Sequence, residues 1–285
     1  MSGESISSIR DLLHDAAERL TEAGVDSARL DVRILLARAM GISREQLIAA
    51  IRQPSPPEIA VFQALVDRRL AREPLAYITG RKEFWSLDFE VGPGVLVPRP
   101  ETETLIDAAL CLVPDRAARL SIADLGTGSG AILIAMLKEF PRARGVGFER
   151  SLDALRYARA NLRTHGLDER AEIIAADWKD APVEQFDIIL SNPPYIPSND
   201  IPGLEPEVRS YEPHAALDGG TSGLEAYRSL AEVLPKLLRP GGMALLELGQ
   251  GQADLMEPVF RGLAILRLVP DLAGIPRVLV LKKPN

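Results

Sequence analysis

Through the first 75 residues, apolar positions return every three or four residues. "SIRDLLHDAAERLTEAG" and "SARLDVRILLARAMG" both carry that spacing, and each closes on a glycine, Gly24 and Gly41, where a left-handed cap is expected. "SPPEIAVFQALVDRRLARE" opens on prolines suited to a first helical turn and keeps the same period. Together these segments predict a small all-helical domain over residues 1–75. From Pro74 the period shortens toward two. In "PLAYITGRKEFWSLDFEVGPGVLVPRPE" aromatic and β-branched residues alternate around a Gly-Pro-Gly turn, which predicts a β-hairpin linker over residues 76–104. Over residues 105–285 short apolar strands alternate with amphipathic helices. The strands are "LSIADLG", "RGVGFE", "AEIIAAD", "FDIILSN", "GGMALLELG" and "RVLVLKK". The helices begin at Ala131 and lie in "SLDALRYARANLRTHG", "GLEAYRSLAEVLPKLL" and "QADLMEPVF". This alternation predicts an α/β fold, a twisted and mainly parallel sheet with helices on both faces and a ligand off the carboxyl ends of its strands.

Composition narrows the function classes. No apolar run approaches the roughly 18 residues a membrane helix needs, so no membrane association is expected. The start of the chain mixes acids through its apolar positions, unlike a secretory signal, and the single cysteine, Cys111, has no partner for a disulfide or a CxxC metal site. Both point to the cytoplasm. Cys111 falls in the helical pattern "LIDAALCLV" and is expected to be a buried thiol. The formal net charge of −7 lowers the expectation of a nucleic-acid partner, and neither part of the chain is cationic. Residues 1–75 hold 10 Lys and Arg against 11 Asp and Glu. His14, His165 and His214 have no metal-ligand spacing, and no metal is expected; His214, in "YEPHAAL", could border a substrate pocket.

Two loops carry candidate chemistry. "DLGTGSGA", from Asp124 and Leu125 through Gly126, Thr127, Gly128 and Gly130, joins a predicted strand to a predicted helix. Its glycines let the backbone turn tightly and approach a ligand. Read from Gly126 it also satisfies a dinucleotide fingerprint, and Glu149 at the end of the next strand stands where an acid would hold ribose hydroxyls. Nicotinamide dinucleotide and S-adenosylmethionine therefore compete. Asp124 tilts the choice, because a carboxylate repels a pyrophosphate but suits ammonium and sulfonium charges. In "AADW", Asp177 is placed to accept from an adenine amino group, with Trp178 near the ring.

The second loop, "SNPPYIP", follows the fourth strand of this sheet and reaches the same edge. Pro193 and Pro194 lack backbone N–H groups and fix φ, so the segment cannot join a sheet and presents acceptors. The Asn192 side-chain oxygen and the Pro193 carbonyl together suit the two hydrogens of a planar –NH2 group, and the Tyr195 ring can wall its flat face. An amide or aromatic amine is a poor nucleophile because its lone pair is delocalised. Acceptors on both hydrogens orient it and return density to nitrogen.

The combination of "PLAYITGRKEFWSLDFEV", "VLVPRPETETLI", "DLGTGSGAI", "SNPPYI", "EPHAALDGGTSGLEAY" and "LLELGQGQ" resembles the release-factor glutamine N5-methyltransferases, the HemK/PrmC family, from about Pro74 onward. The resemblance implies a Rossmann-like S-adenosylmethionine-dependent methyltransferase domain behind a helical substrate-recognition domain. It also implies methyl transfer to the glutamine of the GGQ motif in class I peptide chain release factors, with S-adenosylhomocysteine as product. Asn192, Pro193, Pro194 and Tyr195 would form the catalytic motif, Asn192 also meeting the cofactor. The glycine loop, Glu149, Asp177 and Trp178 would hold the cofactor, and Arg99, Pro100, Glu101 and Thr102 would lie near the substrate. One departure stands out: Arg150 occupies a position that is usually apolar, so it must stack on adenine, turn outward or leave that face open. A monomer without stable nucleic-acid binding is expected. The same Asn-Pro-Pro-Tyr chemistry also suits a glutamine of a ribosomal protein or the amino group of a DNA base, which would have to be extruded from the duplex. A non-catalytic adaptor would have no need of the amide acceptors.

Overall fold

The computed structural model describes residues 8–51, 58–181 and 185–285, so the prolines expected to open the third helical segment, Pro56 and Pro57, lie outside the described residues. The chain divides into two compact units, residues 1–80 with 206–211, and residues 81–205 with 212–285. The first therefore runs to Gly80 and includes a short later segment, and the hairpin region belongs to the second.

The helical unit contains α1 (Ile9–Glu22), α2 (Ala28–Met40), α3 (Arg44–Ala50), α4 (Ile59–Leu70) and α5 (Leu75–Thr79). Side chains close the N-termini of two of them: Ser8 accepts from Asp11 N, and Ser43 and Gln46 form a reciprocal capping box on α3. Gly24 and Gly41 end α1 and α2 at positive φ, as the pattern predicts. The core is apolar around Leu12, Leu20, Val32, Leu35, Leu36, Phe62 and Val66. One polar cluster interrupts it. Arg69 on α4 donates to Asp31 (2.7 Å) and to Glu207 (2.7 Å), and Glu207 is also bound by Arg72 through Nη2 (2.6 Å).

The second unit opens with a hairpin, β1 (Arg81–Phe84) and β2 (Leu87–Glu90), paired Phe84 to Leu87. Its turn is not the Gly-Pro-Gly sequence. Trp85 (φ 54°) and Ser86 (φ 57°) both take the left-handed conformation, the geometry of a tight two-residue hairpin turn. Anchors offset the strain: Trp85 donates its backbone N–H to Glu103 (2.7 Å) and its indole N–H to Glu139 (2.8 Å). The Gly-Pro-Gly glycines answer a different need, close approach of a helix. A Cβ on Gly92 would lie 2.4 Å from the Tyr157 hydroxyl, and one on Gly94 2.6 Å from Asp153 Cβ.

Beyond the hairpin come α6 (Glu103–Leu112), β3 (Ser121–Leu125), α7 (Ala131–Glu139), β4 (Arg144–Glu149), α8 (Leu152–Thr164), β5 (Ala171–Ala175) and β6 (Phe186–Ser191). Then follow α9 (Pro206–Tyr211), which is the segment grouped with the helical unit, α10 (Glu225–Leu237), β7 (Leu238–Glu247), β8 (Ala264–Pro270) and β9 (Pro276–Lys282). The sheet order is β5-β4-β3-β6-β7-β9-β8, parallel as far as β7, with β9 antiparallel to both its neighbours. Strand order reverses between β3 and β6, the switch point at which open α/β sheets hold ligands. Consecutive β3 residues Ile122, Ala123, Asp124 and Leu125 are all buried, as they must be when both faces are covered. Tyr227, Leu230 and Leu234 of α10 pack on one face with Leu125, Ile189 and Leu246, while α7 lies against β3 and β4. This is a Rossmann-like, doubly wound sheet.

Two local expectations are corrected, and one strand was not foreseen. "QADLMEPVF" forms only a single 3₁₀ turn, Ala253–Leu255: Met256 and Phe260 are buried at helical spacing, but Pro258 denies a helix the N–H it needs. β8 escapes the pattern because it is an edge strand with bulges and exposed apolar residues, so it lacks clean alternation. Cys111 is exposed, since α6 buries Leu105, Ile106, Ala108 and Ala109 and leaves position 111 outside that stripe.

Candidate active site

β3, β4, β5 and β6 end on one edge of the sheet and deliver the loops predicted to carry chemistry. The glycine loop leaves β3 at Leu125 and is tied to the next strand, Gly126 and Thr127 donating to the Phe148 carbonyl at 2.9 and 3.0 Å. Gly128 takes φ 56° and donates to Glu149 Oε2 (3.0 Å), while Glu149 Oε1 accepts from Ser151 (2.8 Å). Glu149 is thereby fixed in orientation, with lone pairs left over on both oxygens. A Cβ on Gly128 would meet nothing within 4 Å, so the absent side chain leaves the backbone open to whatever fills the space beside it.

A solvent-open cleft joins the loops. It brings together Gly126, Thr127, Gly128, Glu149, Asp177 and Trp178 with Arg99, Thr102, Asn192 and Pro194. Asp124, Leu125, Gly130, Pro100, Glu101, Pro193 and Tyr195 lie outside its lining. Asp124 is wholly buried and reaches the cleft through Thr127, whose hydroxyl donates to Asp124 Oδ2 (2.6 Å). Its Oδ1 has no hydrogen-bond partner, and burial pushes the carboxyl up to about 7. Trp178 is braced by its indole N–H on Ser229 (2.8 Å), and Asp177 caps the following turn by accepting from Lys179 N. Arg150 lines the cleft with Nη1 3.6 Å from Asp177 Oδ2, an ion pair at the rim with the arginine side chain more than half exposed.

On the proline side, Asn192 is half-buried, and its Nδ2 donates to Thr102 Oγ1 (3.1 Å). Its Oδ1 has no partner among the described residues. Pro193 is buried. Tyr195 packs against the core cluster under α10, and its hydroxyl donates to Glu247 Oε1 (3.3 Å). Gln252 pins this loop from behind, donating to the Tyr195 carbonyl (2.9 Å) while accepting from Tyr227 (3.2 Å) and Gly249 N (3.0 Å). Arg99 is held by the buried Glu212, which also accepts from Val97 N (3.2 Å). His214 is exposed beside Asp218 and does not line the cleft, and no metal-holding group of acids, histidines and cysteines occurs among the described residues.

Glu247, Gln252 and Glu212 went unremarked in the sequence. Glu247 had a faint signal, a single acid closing the apolar strand "ALLELG". Its partner, Tyr195, comes from a segment distant in the chain, so their meeting is legible only once β6 and β7 pair.

A family model described as "PrmC N-terminal domain" matches residues 11–80, and one described as "Methyltransferase small domain" matches residues 106–201. The release factor glutamine methyltransferase of Bradyrhizobium diazoefficiens is 46% identical over 288 residues, spanning 99% of this chain and 96% of that one. The protein of the same name from Caulobacter vibrioides is 42% identical over 269 residues, 93% of each chain. Among solved structures, a 16S rRNA methyltransferase of T. thermophilus in complex with AdoMet and guanosine matches with a TM-score of 0.51 and 21% identity. That likeness covers 71% of this chain and 49% of the other, and it concerns the fold alone. No helix among the described residues is long and apolar enough to cross a membrane.

Proposed function

Because the chain belongs to the release factor glutamine methyltransferase family, we propose that it methylates the side-chain amide nitrogen of the GGQ glutamine in class I peptide chain release factors. S-adenosylmethionine is the donor and S-adenosylhomocysteine the product. The observation that carries this reading is Asn192: a cleft-lining carboxamide whose Nδ2 is committed to Thr102 and whose Oδ1 is unpartnered. An acceptor oxygen held in that way suits a primary amide.

The residues present fit the donor on two observations, the open space beside Gly128 and the orphaned Oδ1 of Asp124 at the root of the loop. Gly126, Thr127 and Gly128 would take its methionyl part, Glu149 its ribose, and Asp177 and Trp178 its adenine. Bound S-adenosylmethionine supplies an electrophilic methyl group on a positive sulfur. The protein's share is alignment and exclusion of water. Asn192 Oδ1 accepts one hydrogen of the glutamine –NH2 and the Pro193 carbonyl the other, which localises the nitrogen lone pair and aims it. As the N–C bond forms, the nitrogen loses one of its two protons to solvent. Arg99, clamped by Glu212, borders the substrate. The helical domain selects the partner, and the enzyme works as a cytoplasmic monomer.

Asn192→Ala is expected to lower turnover of a release factor by about 10²-fold or more, the scale of deleting one preorganised polar partner. Cofactor affinity, read by calorimetry, should change little. Unaltered turnover in this variant would contradict the mechanism.

A further inference from the structure

The sheet edge opposite the cleft carries a group of arginines that the chemistry above leaves unused. β3, β4, β6 and β7 run parallel, and register sets Ser121 beside Arg144 and Phe186 beside Leu238. These strand starts make one edge, and the carboxyl ends that open on the cleft make the other. With five residues in β3, the two edges stand roughly 17 Å apart. An open pocket sits at the amino edge, lined by Arg119, Leu120, Ser121, Arg142, Arg144 and Arg239. Four arginines therefore converge there from the entries to β3 and β4 and from the start of β7.

Their charge is only partly matched. Arg239 Nη1 donates to both oxygens of Asp187, at 2.8 and 2.9 Å, and Asp187 also accepts from Ser121 N (2.7 Å). Arg144 Nη1 donates to a neutral group, the Glu169 carbonyl (3.2 Å). The side chains of Arg119 and Arg142 are exposed and have no hydrogen-bond or ion-pair partner among the described residues. One carboxylate thus answers four guanidiniums and leaves three in excess. That surplus runs against the net charge of −7 on the chain. Crowded like charges repel one another, and an anion seated among them relieves the repulsion.

The form of the pocket selects the anion. A guanidinium is a planar fork of donors that meets phosphate oxygens two at a time. Several forks around one concavity suit negative charges crowded on adjacent groups, as in a phosphoanhydride chain. The carboxylates of an extended acidic peptide are spread along about 3.3 Å per residue and point to alternate sides, too dispersed for one pocket. A long nucleic acid would run beyond the pocket over a molecule of net negative charge, which repels it. Ser121, also in the lining, adds a hydroxyl as a neutral donor.

We propose that this pocket is a second ligand site, for a compact oligophosphate, either inorganic or the phosphate tail of a nucleotide. It lies apart from the cleft and does not depend on which amide the protein methylates.

The probe is inorganic triphosphate, titrated by calorimetry into the full chain at about 0.1 M salt, with S-adenosylhomocysteine present throughout to fill the cleft. One saturable site is expected, and monophosphate should bind at least about tenfold more weakly, since it meets fewer guanidiniums. Arg119→Gln combined with Arg142→Gln should weaken triphosphate by about 10- to 100-fold, the scale of one or two charge-assisted bonds. Arg142→Glu, a charge reversal at an exposed position, is a second variant and should weaken it at least as much. Arg33→Gln with Arg38→Gln removes the same charge from exposed positions of α2 and should leave the affinity within about threefold. Wild-type urea midpoints are expected for all three, because none of these side chains is buried. ATP separates the two sources: affinity equal to that of triphosphate assigns recognition to the phosphates alone, and higher affinity, lost in the same variants, assigns it to a nucleotide. No saturable binding, equal losses in the two double variants, or single-stranded RNA bound more tightly than triphosphate would overturn the inference.

Discussion

Both units of the molecule bury carboxyl groups; the helical unit pairs its own with arginines, whereas the second unit, besides paired acids such as Glu212, keeps two that are underpaired. In the helical unit Asp31 and Glu207 are matched by Arg69 and Arg72, with four charge-assisted bonds between 2.6 and 2.7 Å. Burial works against the charge on Glu207, yet the bonds from Arg72 and Arg69 overcome it and hold the carboxyl below its ordinary range. In the second unit Asp124 and Glu247 each keep one oxygen without a hydrogen-bond partner, and burial pushes both up to about 7. Paired acids cement α2, α4 and α9. Underpaired acids sit directly behind the two loops that line the cleft, at a standing cost in stability, and hold Thr127 and Tyr195.

The comparison breaks most visibly at Arg69. Arg69→Met strands the buried Asp31, and losing one partner of a buried pair costs about 3–5 kcal/mol, to be read as a fall in the urea midpoint. A loss below about 1 kcal/mol, the level of a surface pair, would mean the cluster is not the cement described.

A smaller effect is expected at Glu247, with a sign that depends on pH. Its folded pKa lies above the unfolded value, so its stabilising share is intact below about pH 4.5 and drains away as pH rises toward about 7. Glu247→Gln, which cannot ionise, should therefore be the more stable protein at pH 8, by on the order of 2 kcal/mol, and close to wild type at pH 5. Equal stability at both pH values would place Glu247 among the paired acids instead.

The smallest effect sharpens the cofactor side. Gly128→Ala must hold a Cβ at φ 56° and project it into the space beside the loop. About tenfold weaker binding of S-adenosylmethionine is expected by calorimetry, because the Cβ would occupy space the ligand takes; the left-handed strain of roughly 1–2 kcal/mol burdens free and bound protein alike and would appear as lost stability. Undiminished affinity would mean that the backbone there does not approach the ligand.

How much of this was legible in the sequence depended on the range of the interaction. The glycine loop and "SNPPY" are local signals, each readable because a few adjacent residues fix a backbone shape, and both reach the same cleft. β1 and β2 fall inside the segment expected to form the hairpin, but its turn is not the one expected, because Trp85 and Ser86 are poor turn formers rescued by Glu103 and Glu139 from elsewhere. Tyr195 was expected to wall the substrate, and its ring instead packs toward the core with its hydroxyl on Glu247. Asp124 was expected to face the cofactor's charges directly, and it is buried with Thr127 standing between it and the cleft. These differences share a cause: a side chain's partner several strands away leaves no periodicity behind.

The most direct test of the central claim is mass spectrometry of a release factor incubated with this protein and S-adenosylmethionine, beside a copy whose GGQ glutamine is changed to alanine. The account predicts one added methyl on the GGQ peptide and none on the control. An unmodified GGQ peptide from a preparation that binds the cofactor would contradict it and direct the search to ribosomal proteins first.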